Sequence, residues 1–351
     1  MRRIPLRLLA AGTLPVLVLA GCGSSSSTGK AGNSASTPAA SASGSGSGSA
    51  SASKPPATVA DKDVTPMSAI KVDTKDPKKP AVSLSKKPFQ VNKTTVNVLK
   101  EGTGPAVKDD QIASVDYTVM DGKTGKALAN TFSDQPVTLA LKDPAQFPGL
   151  VSAIKGKKVG TTETVAIPPK DAFGDQGNPQ LGVGAGDTLV FYMKINSAVT
   201  PLKEATGKAV APKSGMPTVK WDGAAKPATI TMPNADAPKK LESANLINGD
   251  GAEVKKGQTV YALYTGVVWT KGKAGKVFDS TGTRGGQPTG FPIGVGKVIP
   301  GWDKTLVGKK VGDRVLIVVP PAEGYGSAGS QDGSIKGTDT IVFAVDIVAA
   351  I

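Results

Sequence analysis

The stretch "VIPGWDK", Val298 to Lys304, has an earlier counterpart in "QFPGLVS", Gln146 to Ser152. Both place Pro-Gly before a large apolar residue. In the longer run "PGWDKTLVGKKVG", Pro300 suits the first turn of a helix, where its missing N–H is not needed. Trp302, Leu306 and Val307 form an apolar stripe at helical spacing, and Gly308 can close the helix in the left-handed region. Tryptophan is scarce, with three copies in 351 residues. Trp302 is therefore either core filler or the floor of a site.

The pairing extends well beyond this phrase. "VLKEGTGPAVKDDQIASVDYTV" (98–119) aligns with "NLINGDGAEVKKGQTVYALYTGV" (245–267) at an offset of 147, which also relates Lys79-Pro80-Ala81 to Lys226-Pro227-Ala228. Further on the offset is 152: "GKKVG" recurs at 156 and 308, and "DT.VF" at 187 and 339. A repeat of this length implies two homologous domains. We expect them over 68–200 and 214–351, joined by a linker at 201–213.

Each copy reads mostly as β. "QTVYALYTG" puts Val260, Ala262 and Tyr264 on one face. "DRVLIVVPP" is a β-branched run stopped by prolines that cannot continue a ladder. In "DTIVFAVDIVAAI", Ile341, Phe343, Val345 and Ile347 are in phase. The expected class is α+β, each domain a curved antiparallel sheet wrapped around one short α-helix.

The first 22 residues read as a signal segment rather than as fold: a basic "MRR", a mostly apolar run, and "LAGC" ending at Cys22, the only cysteine. Elsewhere a lone cysteine would read as a buried thiol. Here the pattern resembles a bacterial lipobox, which implies lipidation of Cys22 and anchoring at the cell membrane on its extracytoplasmic face. Residues 23–67 begin with a long Ser/Gly/Ala/Pro-rich run and read as a flexible tether. The net charge is +14, but the lysines are scattered among acids and three arginines lie in the signal segment. This reads as a solvated basic surface with no nucleic-acid partner. The chain has no histidine, which excludes Ser-His and Cys-His nucleophile pairs and removes the usual metal ligand. No metal and no cofactor are expected, and the protein is expected to be a monomer.

"YTG", "VFDST", "IGVGKVIPGWDKTLVG", "KVGDRVLIVVPPAEGYG" and "DTIVFAVDIV" occur in order over about 105 residues of the second copy. Together they resemble the FKBP-type peptidyl-prolyl cis-trans isomerases. The resemblance implies an aromatic pocket between sheet and helix with Trp302 as its floor. It implies catalytic roles for Asp279, Tyr264 and Tyr325, and a substrate-binding wall of Phe278, Phe291, Val298, Ile299, Ile335 and Phe343. The backbone N–H of Ile299 would hold a substrate carbonyl. Asp279 could face the carbonyl carbon or orient Tyr264. Proline-containing polypeptides are the implied partners, with macrolides of the rapamycin type as further ligands. Folding of exported proteins is the implied role; the alternative is a non-catalytic, chaperone-like polypeptide-binding lipoprotein. Two departures bear on substrate preference: Thr289 stands where the family often has an aromatic, and "SAGSQDGSIKGTD" lacks a proline-rich tip.

The chemistry suits a chain without histidine. Rotation about a peptide bond must break resonance, a barrier of about 18–20 kcal/mol. At X-Pro the isomers are close in energy but exchange slowly. A catalyst need only bind the twisted amide better than the planar forms.

The first copy serves as an internal control. Tyr264 corresponds to Tyr117, Phe278-Asp279 to Leu128-Ala129, Ile299 to Phe147, Trp302 to Leu150 and Tyr325 to Phe173. The carboxylate, the indole and the loop hydroxyl are missing together, so this domain is expected to keep the fold with little or no activity.

Overall fold

A computed structural model of the protein describes residues 59–351. The expected signal segment, Cys22 and most of the tether lie outside these residues. The first copy contains β1 (Ile70–Asp73), β2 (Ala81–Leu84), β3 (Thr95–Lys100), β4 (Ile112–Asp121), β5 (Ala127–Asn130), β6 (Val137–Ala140), α1 (Pro148–Ile154), β7 (Thr162–Ile167) and β8 (Leu189–Val199). Then come β9 (Lys208–Ala209), β10 (Thr218–Lys220), β11 (Thr229–Thr231), β12 (Glu242–Asn248), β13 (Thr259–Val268), β14 (Lys276–Ser280), β15 (Thr289–Pro292), α2 (Pro300–Leu306), β16 (Arg314–Val319) and β17 (Ile341–Ala350).

The two main sheets share one topology. The first runs β3-β7-β8-β4-β5 with β6 also on β4; the second runs β14-β13-β17-β16-β12-β9 with β15 also on β13. All these pairings are antiparallel. β13 is the organising strand: Thr259–Ala262 pair with β15, and Thr265–Val268 pair with β14 across a bulge at Gly266/Val267. The expected face alternation holds, since Val260, Ala262 and Tyr264 join Phe343, Val345 and Ile347 in one core with Trp302 and Leu306.

A seven-residue helix is too short to be stable alone and forms because its apolar side packs on the sheet. Packing also accounts for the Pro-Gly shared by both copies. A Cβ at Gly301 would lie 2.9 Å from Cγ1 of Val319, and one at Gly149 would run into the Ile167 side chain. Only glycine lets the first helical turn approach the strand this closely. Gly308, at φ +84°, reverses the chain after the helix. The expected stripe ends one residue early: Val307 is the extended cap residue and is 38% exposed.

The structure adds a layer that the sequence did not suggest. Each main sheet is covered on its other face by a two-stranded hairpin, β1-β2 in the first copy and β10-β11 in the second. Ile70 packs with Phe89, Met120, Ala166 and Val190. Met216, Ile230 and Met232 pack with Leu316, Val318, Val342 and Ala344. Two of the expected segment boundaries change as a result. The tether does not extend to residue 67, because Val64 and Met67 pack on this first hairpin core and Thr65 N–H donates to Gln90 O. The 201–213 segment is not a free linker. β9 pairs with β12, Leu202 N–H donates to Val348 O, and Ala205 N–H donates to the buried Asp346 carboxylate, which Arg314 also grips through two nitrogens at 2.6 and 2.8 Å.

Candidate active site

Trp302 sits on α2 with its indole pressed against the sheet, 3% exposed. Three aromatic rings meet it edge-on: Tyr264 from β13 at 5.5 Å, Phe291 from β15 at 4.9 Å and Phe343 from β17 at 5.2 Å. Phe278 from β14 meets Phe343 at 5.6 Å, with the rings perpendicular. Such T-shaped contacts suit the quadrupoles of the rings. They also bring together residues from five elements that are 79 positions apart at the extremes. Val298, Ile299 and the buried Ile335 pack into the same cluster. Tyr325 stands at the margin, 43% exposed, and its hydroxyl bonds to no protein group among the described residues.

The Nε1–H of Trp302 is buried and has no hydrogen-bond partner among the described residues. A buried donor left in this state costs about 1–3 kcal/mol. The Ile299 carbonyl accepts from the N–H groups of Trp302 and Asp303, while the Ile299 N–H donates to no protein group among the described residues.

Asp279 lies at the polar edge. Its Oδ2 accepts the Tyr264 hydroxyl at 2.5 Å, and its Oδ1 is gripped by Nη1 of Arg284. Nη2 of Arg284 donates to the Tyr264 oxygen at 2.9 Å, which closes a three-membered ring of bonds. Of the two arrangements left open by the sequence, the carboxylate here orients the tyrosine. Burial, reinforced by the Asp279 carboxylate, pushes the Tyr264 hydroxyl up to about 12. The bond to Asp279 raises the Arg284 guanidinium as well. The Tyr325 hydroxyl is also raised, by burial first and then by the charges of Asp279 and Asp332. Tyr325 thus lies within electrostatic reach of Asp279.

Two residues of this arrangement escaped the sequence reading. Arg284 follows "FDSTGT" and reaches back through the short 3₁₀ turn Thr281–Arg284. A signal existed: after residue 7 the chain uses arginine only at 284 and 314, and both grip a carboxylate. Only arginine offers a planar fork for such a grip. Asp303 is the other. Its two oxygens accept Gly294 N–H at 2.7 Å and Gly296 N–H at 2.6 Å. It thereby fixes the loop that delivers Val298 and Ile299 to the pocket wall.

The first copy fills the same space differently. Leu150 replaces the indole, and Phe147 and Phe173 pack on each other at 4.8 Å against the same core. Where Ile299 is half-buried and Tyr325 exposed, Phe147 is 5% exposed. The cross-strand register that sets Asp279 opposite Gly266 sets Ala129 opposite Val119, so no carboxylate faces Tyr117 from that strand.

An aromatic box with an ion-paired carboxylate at its rim is suited to enclosing an apolar ring. The comparisons are more specific. A model of the FKBP-type peptidyl-prolyl cis-trans isomerases matches the chain twice, over residues 104–196 and 251–348. An FK506-binding protein of Streptomyces anulatus is 36% identical over 120 residues, 34% of this chain and 94% of the relative. A probable FK506-binding protein of Corynebacterium glutamicum is 36% identical over 121 residues, 34% of this chain and 96% of the relative. The crystal structure of the three FKBP domains of wheat FKBP73 is similar over 74% of this chain and 94% of that one, at 25% identity and a TM-score of 0.29. The chain belongs to the FKBP-type peptidyl-prolyl cis-trans isomerase family, carries two such regions in tandem, and is an isomerase of X-Pro bonds.

Proposed function

We propose that the second domain, residues 214–351, carries the isomerase activity, that the first, 68–200, carries little or none, and that the substrates are exported polypeptides met at the membrane surface. The observation that carries this assignment is the buried, unpartnered indole N–H of Trp302. Leucine fills the same place in the first copy without that cost, so packing alone does not call for an indole. A broad aromatic floor for a proline ring does.

The rest of the site follows from the amide. Twisting the X-Pro bond removes charge separation, so a dry aromatic box disfavours the twisted amide less than the planar one. The Asp279–Arg284 pair cancels its own charge and leaves no net charge beside the amide. It also holds the Tyr264 proton, so Tyr264 acts as wall and not as donor to substrate. Besides the indole N–H, the Ile299 N–H and the Tyr325 hydroxyl have no protein partner among the described residues and would hold carbonyls flanking the proline. Each tenfold in rate requires about 1.4 kcal/mol of preference for the twisted form, within reach of a few such contacts. The same box offers a place for macrolides of the FK506 or rapamycin type.

The "LAGC" sequence at Leu19–Cys22 supports anchoring through a lipidated Cys22, with the Ser/Gly-rich segment after it as tether. In a protease-free assay on a proline tetrapeptide, Trp302→Leu in the full chain should lower kcat/KM by about 100-fold, or about 2.7 kcal/mol. Activity that survives Trp302→Leu and falls instead with substitutions at Leu150 would move the site to the first domain.

A further inference from the structure

The two copies treat the outermost strand of the sheet in opposite ways. In the second, β12 is covered: Ala209 and Lys208 pair with Ile247 and Asn248, and Val210 N–H donates to Leu246 O at 2.9 Å. The corresponding edge of the first sheet is β3, and no strand covers it among the described residues. Asn97, Val98, Leu99 and Lys100 are all exposed there, with Val98 at 41% and Leu99 at 48%. An uncovered edge with apolar side chains is a ready template for another strand.

The side chains beside the edge differ in the same sense. Cross-strand register equates Val98, opposite Glu163, with Asn245, opposite Val315. Asn245 is tied into a polar network: its Nδ2 donates to Asn248 at 2.8 Å and its Oδ1 accepts from Lys309 at 2.6 Å. Val98 instead opens onto a groove of about 350 Å³ lined also by Glu101, Ala106, Lys157, Lys158 and Thr161. Glu101 is paired with Lys158 at 2.9 Å, whereas Lys100 and Lys157 have no acidic partner among the described residues.

We propose that the free edge of β3 receives an extended segment of unfolded polypeptide as an added antiparallel strand, one of its apolar side chains entering the groove beside Val98. The proposal rests on the isomerase reading for the nature of the partner, and it gives the first domain a use that needs no prolyl pocket. Strand addition supplies affinity through main-chain bonds and selectivity through alternate side chains. The second copy shows that this edge of the fold accepts a backbone in that geometry. Two other occupants fit less well. Residues 23–58 contain no Val, Ile, Leu, Met, Phe, Tyr or Trp to cover Val98 and Leu99. A second copy would bring Lys100 and Lys157 against their own kind. A client with carboxylates flanking its apolar residues is complementary to both.

The test uses the full chain and a fluorescent, proline-free octapeptide of alternating Val and Thr with Asp at each end, followed by anisotropy. Binding is expected. Val98→Lys with Leu99→Lys should weaken it by at least about tenfold, with the thermal unfolding curve retained. Trp302→Leu should leave it unchanged while lowering kcat/KM on a proline tetrapeptide by about 100-fold, which separates this surface from the isomerase site. Absence of binding to the native chain, or equal binding by the double lysine variant, overturns the proposal. So does a dimer that the lysine variant dissolves, or binding that appears only once residues 23–58 are deleted, since either shows another occupant.

Discussion

Glu163 lies on β7, fully buried, and neither carboxylate oxygen has a hydrogen-bond partner among the described residues. Burial pushes its carboxyl up to about 7 from an ordinary 4.5, with Lys157 opposing only in part. The second copy has Val315 at this place, so Glu163→Val is a substitution the fold already accommodates. Below about pH 4.5 the group is protonated in both states and contributes nothing. Between about 4.5 and 7 the unfolded chain ionises while the folded one stays neutral, so the unfolded state binds fewer protons and stability falls as pH rises. Above 7 both are ionised and the loss is constant. A shift of this size is worth about 3 kcal/mol, at 1.36 kcal/mol per unit. Hydrogen exchange of β7 and β8 amides in the full chain, corrected for intrinsic rates, reads this directly. Between pH 5 and 8 the native protein should lose about two decades of protection there, and Glu163→Val should lose almost none. The amides of β16, which carry Val315, should be indifferent. A native protein whose β7 protection is flat with pH, or a valine variant no better protected at pH 8, would refute the reasoning.

Arg284→Lys keeps the charge but loses the fork, so kcat/KM should fall by roughly tenfold; combined with Asp279→Asn the loss should be much less than the product of the singles, because both act on the Tyr264 hydroxyl. Tyr264 is held up at about 12 and stays protonated across the working range, so the rate on a neutral proline peptide should be flat between about pH 6 and 10, a profile that a titrating catalytic group would bend. Asp303→Ala frees the backbone of Gly294 and Gly296 and loosens the wall at Val298 and Ile299. KM should rise several-fold with a smaller change in kcat, as expected when a positioning contact is lost.

The strands and helix that carry the site were legible because their periodicity is strong over many residues. β13, β17 and α2 all show apolar side chains at the spacing of their own element, and the repeat doubled every signal. What failed to register was short or depended on three-dimensional register. β9 is two residues long and lies in a polar stretch that reads as a joint. The covering hairpins do repeat, with "MSAIKVD" at 67–73 matching "MPTVKWD" at 216–222, but at an offset of 149, out of step with the 147 that holds for Lys79-Pro80-Ala81. Asp303 stood in plain view beside Trp302, yet its partners are backbone N–H groups that no residue pattern reports. Arg284 meets Asp279 only because the Gly266/Val267 bulge and the turn after β14 bend the chain back over Tyr264.

The two tyrosines contrast the proposed isomerase site with its apolar counterpart in the first copy. Tyr117 and Tyr264 occupy the same strand position, and both hydroxyls are pushed up to about 12. For Tyr117 burial alone does this; for Tyr264 burial comes first and the Asp279 carboxylate adds to it, while the Arg284 guanidinium works against both. The first copy meets the demand for packing with Leu150, Phe147 and Phe173, all apolar and part of one core. The second keeps a half-buried Ile299, an exposed Tyr325, an unpartnered indole N–H and an ion pair at the rim, each less favourable for the folded chain by itself. Stability does not select such a set, since the same backbone holds together without it. Among the described residues the Trp302 Nε1–H, the Ile299 N–H and the Tyr325 hydroxyl are all left without a protein partner, a set that packing by itself does not explain.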